Sequence, residues 1–203
     1  MERFFMTLLS EFSSAVSVMK SESRYVIGLA IAVACILLIP LVGMQFTDEV
    51  NWTFSDFAAA WILLFGSGLL YRLISRRVNN FRFRAAVGLA VGTSLVITWA
   101  NLAVGIIGNE NNPANDLFFG VILIGFAGAV IARFRPEGLA ITMFVMAFAQ
   151  FLVPVIALMI WKPEIDFGVV KIIIFNGFFV MLYIVSALLF RNASRSNGDA
   201  SST

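Results

Sequence analysis

Histidine is absent from the 203 residues, and there is a single cysteine, Cys35. Without histidine the chain lacks the commonest general base, the commonest metal ligand and the side chain that ordinarily titrates near neutral pH. One cysteine, set in an apolar run, excludes an internal disulfide framework and a thiolate metal site. Charge is scarce as well. Asp, Glu, Lys and Arg make up 13% of the residues, against about 25% in a soluble domain. A water-exposed surface this poor in charge does not dissolve, so lipid is the solvent the sequence implies. There is no P-loop, no H-E-x-x-H, no Gly-rich nucleotide fingerprint and no C-x-x-C. A serine nucleophile would find no evident base. No carboxylate lies deep in an apolar run, which counts against a proton-relay carrier, whose intramembrane acids are costly and functional. The expectation is a protein that is not an enzyme and uses no cofactor or metal.

What is present is apolar: 60% of the residues are hydrophobic, with 21 phenylalanines. Runs of roughly 17–25 apolar residues are the length of a membrane span, and six are found. They are Tyr25–Met44, Phe57–Ile74, Ala85–Ile107, Leu117–Ala132, Leu139–Ile160 and Val169–Phe190, the fourth extending back towards Pro113. The fold class predicted is all-α, a polytopic membrane helix bundle with six transmembrane helices. Orientation follows from Lys and Arg. Twelve of the fourteen lie in one set of connections: Arg3, Lys20, Arg24, Arg72, Arg76, Arg77, Arg82, Arg84, Arg133, Arg135, Arg191 and Arg195. Only Lys162 and Lys171 fall in the other. The positive-inside rule then puts both termini in the cytoplasm. The same rule accounts for the net charge of +2 without a nucleic-acid partner. Trp52, Trp61, Trp99 and Trp161 fall in the opposite, outer half, as interfacial aromatics do.

Three regions are expected: 1–20, 21–191 and 192–203. In the first, Phe4, Phe5, Leu8, Leu9, Phe12, Val16 and Met19 recur at helical spacing with serines between them. That pattern predicts an amphipathic helix in the cytoplasmic interface, as an anchor or a partner-binding segment. The second holds the six spans as three hairpins. The third, Asn192–Thr203, is rich in Ser, Asn and Gly and is expected to be a disordered cytoplasmic tail. The returning helices of the hairpins begin alike, at Asp56-Phe57, Asp116-Leu117 and Asp166-Phe167, with Gly66 and Gly68, Gly125 and Gly128, and Gly177 about ten positions on. Parallel two-helix repeats would explain this, and so would the preference of every helix N-terminus for an acid in its first turn.

Three features bear on function. An acidic outer mouth is suggested by Asp48, Glu49, Asp56, Glu110, Asp116, Glu164 and Asp166, with Asn109, Asn111, Asn112 and Asn115 among them. Such oxygen ligands suit hard cations. Capping explains about half of them equally well: Thr53-x-x-Asp56 fits a capping box, and Asn112-Pro113 an N-cap followed by proline. A stripe on the third span, Ser94, Thr98, Asn101, Gly105 and Gly108, follows spacings that share one helix face. Gln150 and Pro154 in the fifth span, and Asn176 and Tyr183 in the sixth, answer it. Small and polar residues so spaced either pack membrane helices together or line a polar cavity, where Pro154 would free a backbone carbonyl. Lys171, near the start of the sixth span, is the one cation placed to meet an anionic solute from outside; snorkelling to the interface is its ordinary use.

Two stretches, VGMQFTDEVNW (Val42–Trp52) and WANLAVGIIGNENNPAN (Trp99–Asn115), resemble segments of a group of small uncharacterised bacterial multi-span inner-membrane proteins. The resemblance implies a bacterial inner membrane. It carries no site residue. Two functions stay open: a membrane-embedded assembly or accessory protein that meets a membrane-protein partner or a second copy of itself, and a small channel or carrier for a cation or polar solute. The lipid bilayer is a partner in either case.

Overall fold

The computed structural model describes residues 2–47, 50–109, 111–161 and 167–200, and the surroundings of side chains within 20–47, 50–109, 111–160 and 168–195. Among the described residues the regular structure is helical throughout: α1 (Glu2–Phe46), α2 (Phe54–Ser75), α3 (Phe81–Ala103), a 3-10 turn (Pro113–Asn115), α4 (Asp116–Ile131), α5 (Pro136–Trp161) and α6 (Phe167–Ala200). Six segments are each long and apolar enough to cross a membrane. By length and composition this is a multi-pass membrane protein, as the apolar runs predict.

Several boundaries differ from those expectations. Helix α1 runs unbroken from Glu2 into the first span, so 1–20 is not set off from it by a turn. Helix α3 ends at Ala103 rather than Ile107, and Gly105 (φ +68) and Gly108 (φ +74) lie in the following loop in the left-handed region. They leave the stripe that the sequence assigns to one helix face. At the other end of the chain, the tail expected to be disordered from Asn192 is helical to Ala200. Packing carries it past Asn192: Ala193 is fully buried, and Ser194 Oγ donates to Glu137 Oε1 at 2.9 Å.

The chain divides into two compact units, residues 1–69 and 70–203. In the first, α1 and α2 meet where Tyr25 OH donates to the carbonyl of Gly68 at 2.9 Å and Leu29 lies against the same glycine. Ile27, Ile31, Ile39, Val42 and Ile62 are exposed, as is Cys35. In water such a surface would drive association; on spans it is the lipid-facing surface.

In the second unit α6 is the central element. Asn176, Phe179, Tyr183, Ser186, Ala187, Phe190 and Ala193 are all buried. They recur every three or four residues and so form one seam along the helix. Helix α3 packs on that seam: the Phe83 and Phe190 rings meet edge to face at 5.4 Å, Ser186 Oγ donates to Ala86 O at 2.9 Å, and Ser94 Oγ bonds Tyr183 OH at 3.0 Å. Rising numbers on α3 pair with falling numbers on α6, so the two run antiparallel. Helix α5 packs on α6 and α4 on α5, whereas α3 and α4 touch little. The α4–α5 contact is set by small residues. Gly125 faces Met146 and Gly128 faces Thr142. Gly66 and Gly177 meet nothing, so the glycines of the supposed repeat do not share one packing role.

The α4–α5 contact yields a graded expectation. A β-carbon added at Gly128 would lie 2.5 Å from Thr142 Cγ2 and 3.1 Å from its Cβ. Thr142 is stiff at χ1, and its Oγ1 is held to Gly138 O at 2.9 Å, so it withdraws at a cost. Gly128→Ala should lower stability by about 1–3 kcal/mol, the usual range for overpacking. Gly125→Ala should lower it less, because the colliding atoms are the flexible end of Met146. Gly120→Ala meets nothing and should be neutral or stabilising by up to about 1 kcal/mol from helix propensity. Thermal unfolding in detergent gives the order; equal effects at 120 and 128 would mean that α4 does not pack on α5 through this face.

Candidate functional site

Helix α5 contains a proline, Pro154, one turn beyond Gln150. Proline has no N–H, so the carbonyl of residue 150 loses its partner within the helix. In a membrane an unpaired carbonyl costs several kcal/mol, because no water is there to satisfy it. Asn176 of α6 supplies the missing donor: its Nδ2 lies 3.0 Å from Gln150 O. The same amide accepts from Gln150 Nε2 at 2.8 Å through Oδ1. These two bonds fix the orientation of the Asn176 amide, since reversing it would set acceptor against acceptor and donor against donor. Gln150 is 0% and Asn176 2% exposed. One polar atom is left over. Gln150 Oε1 is buried and has no hydrogen-bond partner.

The remaining residues of the predicted stripe are used nearby in different ways. Ser94 and Tyr183 bond each other across α3 and α6, and Tyr183 is fully buried. Thr98 Oγ1 donates to Ser94 O at 2.8 Å within its own helix, which satisfies the hydroxyl without reaching a neighbour. Asn101 does not bond the Gln150–Asn176 pair. Its Nδ2 donates to Asn115 O at 3.0 Å, and its Oδ1 accepts a longer bond, 3.4 Å, from Ile106 N–H. Of the six polar residues singled out on the third, fifth and sixth spans, then, hydrogen bonds join Gln150 to Asn176, Ser94 to Tyr183 and Thr98 to the Ser94 backbone, while Asn101 bonds the loop after α3.

That loop is organised by a residue the sequence reading placed in the outer mouth. Asn115 is buried, and its side chain accepts from Ile107 N–H at 2.8 Å and donates to Asn109 O at 2.7 Å and Ile107 O at 3.3 Å. Asn112 caps the 3-10 turn by accepting from Ala114 N–H at 2.9 Å, and Asn109 Oδ1 accepts from Asn111 N–H at 3.0 Å. The asparagines bind their own backbone, as short amide side chains do in turns. Ser186 was also missed, although it lies on the three-to-four spacing that runs from Asn176 through Tyr183.

Of the acidic mouth, Asp48, Glu49, Glu110, Glu164 and Asp166 lie outside the described residues. Asp56 and Asp116 are described, and both are exposed. Asp56 is engaged as a cap. Its Oδ2 accepts from Thr53 N–H at 2.7 Å and from Thr53 Oγ1 at 2.8 Å at the start of α2. Asp116 opens α4 in the first-turn position that favours an acid. Among the described residues no three His, Cys, Asp or Glu side chains come together as a metal site would require. Lys171 is exposed near the start of α6.

The amide pair makes an asymmetric prediction. Asn176→Leu removes both bonds and leaves Gln150 O and Nε2 unpaired. Gln150→Leu removes one bond and also the unpaired Oε1. Interhelical bonds in membranes are worth about 0.6 kcal/mol on average and up to about 1.7. Gln150→Leu should cost within that range and Asn176→Leu about twice as much. Pro154→Ala restores an N–H to Gln150 O, so it should recover part of the loss in the Asn176→Leu background. Thermal unfolding of the singles and the double decides the matter. No recovery by Pro154→Ala would mean that the freed carbonyl is not what Asn176 serves.

No protein-family model, curated protein or solved structure matches the chain, and the hydrogen bonding just described is the ground from which function is read.

Proposed function

We propose that the chain is a non-enzymatic integral membrane protein acting as a membrane-embedded assembly or accessory protein. The observation that supports this most is the use of its buried amides and hydroxyls. Asn176, Tyr183 and Ser186 bond neighbouring helices, and Asn101 and Asn115 bond an adjoining loop. Polar groups arranged so fix helices against one another, which is what polar residues do in membranes that give helices no hydrophobic reason to associate.

The distribution of Lys and Arg supports a placement with both termini in the cytoplasm, and the resemblance of 42–52 and 99–115 supports a bacterial inner membrane. A 45-residue helix such as α1 is roughly 68 Å long at 1.5 Å per residue, more than twice the ~30 Å hydrocarbon core. A helix of that length cannot lie wholly within the core, which supports placing the part before Lys20 outside it. Its apolar positions suit the cytoplasmic interface or a partner helix.

A second reading is favoured by one atom. Gln150 Oε1 has no donor, and a hydrated path or a polar solute would provide one. On that reading the protein is a small channel or carrier, with the outer acids as its mouth.

Two experiments separate these readings. Purified protein in liposomes should pass none of a panel of alkali cations, divalent cations and small polar solutes, with Gln150→Leu lowering thermal stability. Reproducible flux that disappears in Gln150→Leu at an unchanged melting temperature would establish the carrier instead. For topology, single cysteines at Asn79→Cys and Asn111→Cys, in a Cys35→Ser background, should react with impermeant thiol reagents from opposite faces of the membrane, the former from the cytoplasm. Labelling of both from one face would overturn the six-span placement.

A further inference from the structure

Arg133 and Arg135 lie in the turn from α4 to α5, the α2–α3 connection brings Arg77 onto the same turn, and all three are exposed. Arg133 (φ +49) and Phe134 (φ +58) both lie in the left-handed region, where glycine is the ordinary occupant. Phe134 N–H reaches back to Ala129 O at 3.1 Å and Arg135 N–H to Ala132 O at 3.0 Å, so the turn is closed by its own backbone. Glycines would serve that backbone better. What glycines would not supply is the ring and the charge. The ring is used: the Arg77 guanidinium lies over Phe134, with Cζ 4.8 Å from the centroid. This cation–π contact ties the α2–α3 connection to the α4–α5 turn. Arg77, Arg133 and Arg135 are all exposed, and among the described residues none of the three has a carboxylate partner. Glu137, two residues beyond the turn, accepts from Ser194 instead.

We propose that Arg77, Arg133 and Arg135 form a docking site for the phosphate headgroup of an anionic membrane lipid. Like charges held together on a closed turn repel one another until an anion arrives. The guanidinium fork matches phosphate oxygens two bonds at a time, which an ammonium cannot do. The ring holds Arg77 in place, with Cζ 4.8 Å from the Phe134 centroid, and among the described residues no hydrogen bond takes up its N–H groups. The site lies at the end of two membrane-crossing helices, at the level of the headgroups, where inter-helix basic pockets bind such lipids. A lipid rather than a free phosphate is indicated by the surface beside the turn. Val130 is 64% and Ile131 81% exposed, so an apolar strip for an acyl chain runs from the arginines along α4.

Native mass spectrometry of the full chain, titrated with phosphatidylglycerol or phosphatidylcholine, tests this. The wild type should retain phosphatidylglycerol in preference to phosphatidylcholine. Arg77→Gln and Arg133→Gly should each weaken phosphatidylglycerol binding by roughly fivefold. Arg133→Gly is chosen because glycine accepts the positive φ, so its melting temperature in neutral detergent should equal or exceed that of the wild type. Phe134→Leu should also weaken binding, with every charge intact, by releasing Arg77. Lys171→Gln, at the opposite end of α6, should change nothing, and millimolar inorganic phosphate should not displace the lipid. Equal retention of the two lipids, or the same loss in Lys171→Gln as in Arg77→Gln, would overturn the site in favour of diffuse charge. Displacement by inorganic phosphate would overturn its assignment to lipid.

Discussion

A backbone inside a bilayer has to satisfy every N–H and C=O within the protein, and Pro154 breaks that rule one turn after Gln150. The Asn176 side chain mends the break from another helix, at 3.0 Å. The energy of this repair is modest on the measured scale, about 0.6 kcal/mol for an average interhelical bond, because an unpaired carbonyl in the dissociated state finds other partners in the membrane. Its consequence for geometry is larger. Asn176 has one position from which it can both donate to Gln150 O and accept from Gln150 Nε2, so the α5–α6 register is set at that level. A slip of one turn would break both bonds.

The register of α6 then governs its packing on α3. Phe179, Tyr183, Ser186, Phe190 and Ala193 follow Asn176 along one seam, and Ser186 and Tyr183 hold α3 through Ala86 O and Ser94. Continued from those pairs, the antiparallel pairing brings residues 96–101 of α3 level with Asn176. The connections at the two ends of α4 differ in length, and so does the packing that goes with them. The α4–α5 turn spans only a few residues and closes on itself, so α4 is held against α5 through Gly125 and Gly128. The α3–α4 connection is longer and is stiffened internally by Asn115, which lets α3 pack on α6 rather than on α4.

How much of this could be read in advance varies with the range of the interaction. Spans were legible because each is a continuous apolar run and lipid demands no finer pattern. The importance of Gln150, Pro154 and Asn176 was legible too, since an amide and a proline in hydrocarbon both need a reason. Their pairing was not, because 26 residues separate Gln150 from Asn176 and the sequence alone does not give the register. The end of α3 misled for a related reason. Gly105 and Gly108 continue the helical spacing from Asn101, but Asn115 takes Ile107 N–H from eight residues away and draws the chain into a loop. Asn109, Asn112 and Asn115 read both as ligands for an outside cation and, for Asn112, as a cap; their side chains bind the loop's own backbone. Ala193 was hidden inside a polar tail, and burial of one small residue extends α6 past it.

The two ends of the second unit differ in how their polar groups are satisfied. At the 104–115 end, amide side chains and backbone close on one another and offer little to a partner. At the 132–135 end the backbone is equally closed, yet the charged side chains point outward with one guanidinium held on a ring. Between these ends, among the described residues, the buried side-chain amides and hydroxyls are bonded, apart from Gln150 Oε1 and Thr93 Oγ1. A conduit needs polar groups left open along its length, and a scaffold needs them closed inside and available at the rim. The balance of bonded to unbonded groups is the ground on which the scaffold is proposed, and the proposed lipid contact belongs to the arginine-bearing rim rather than to the amides between the helices.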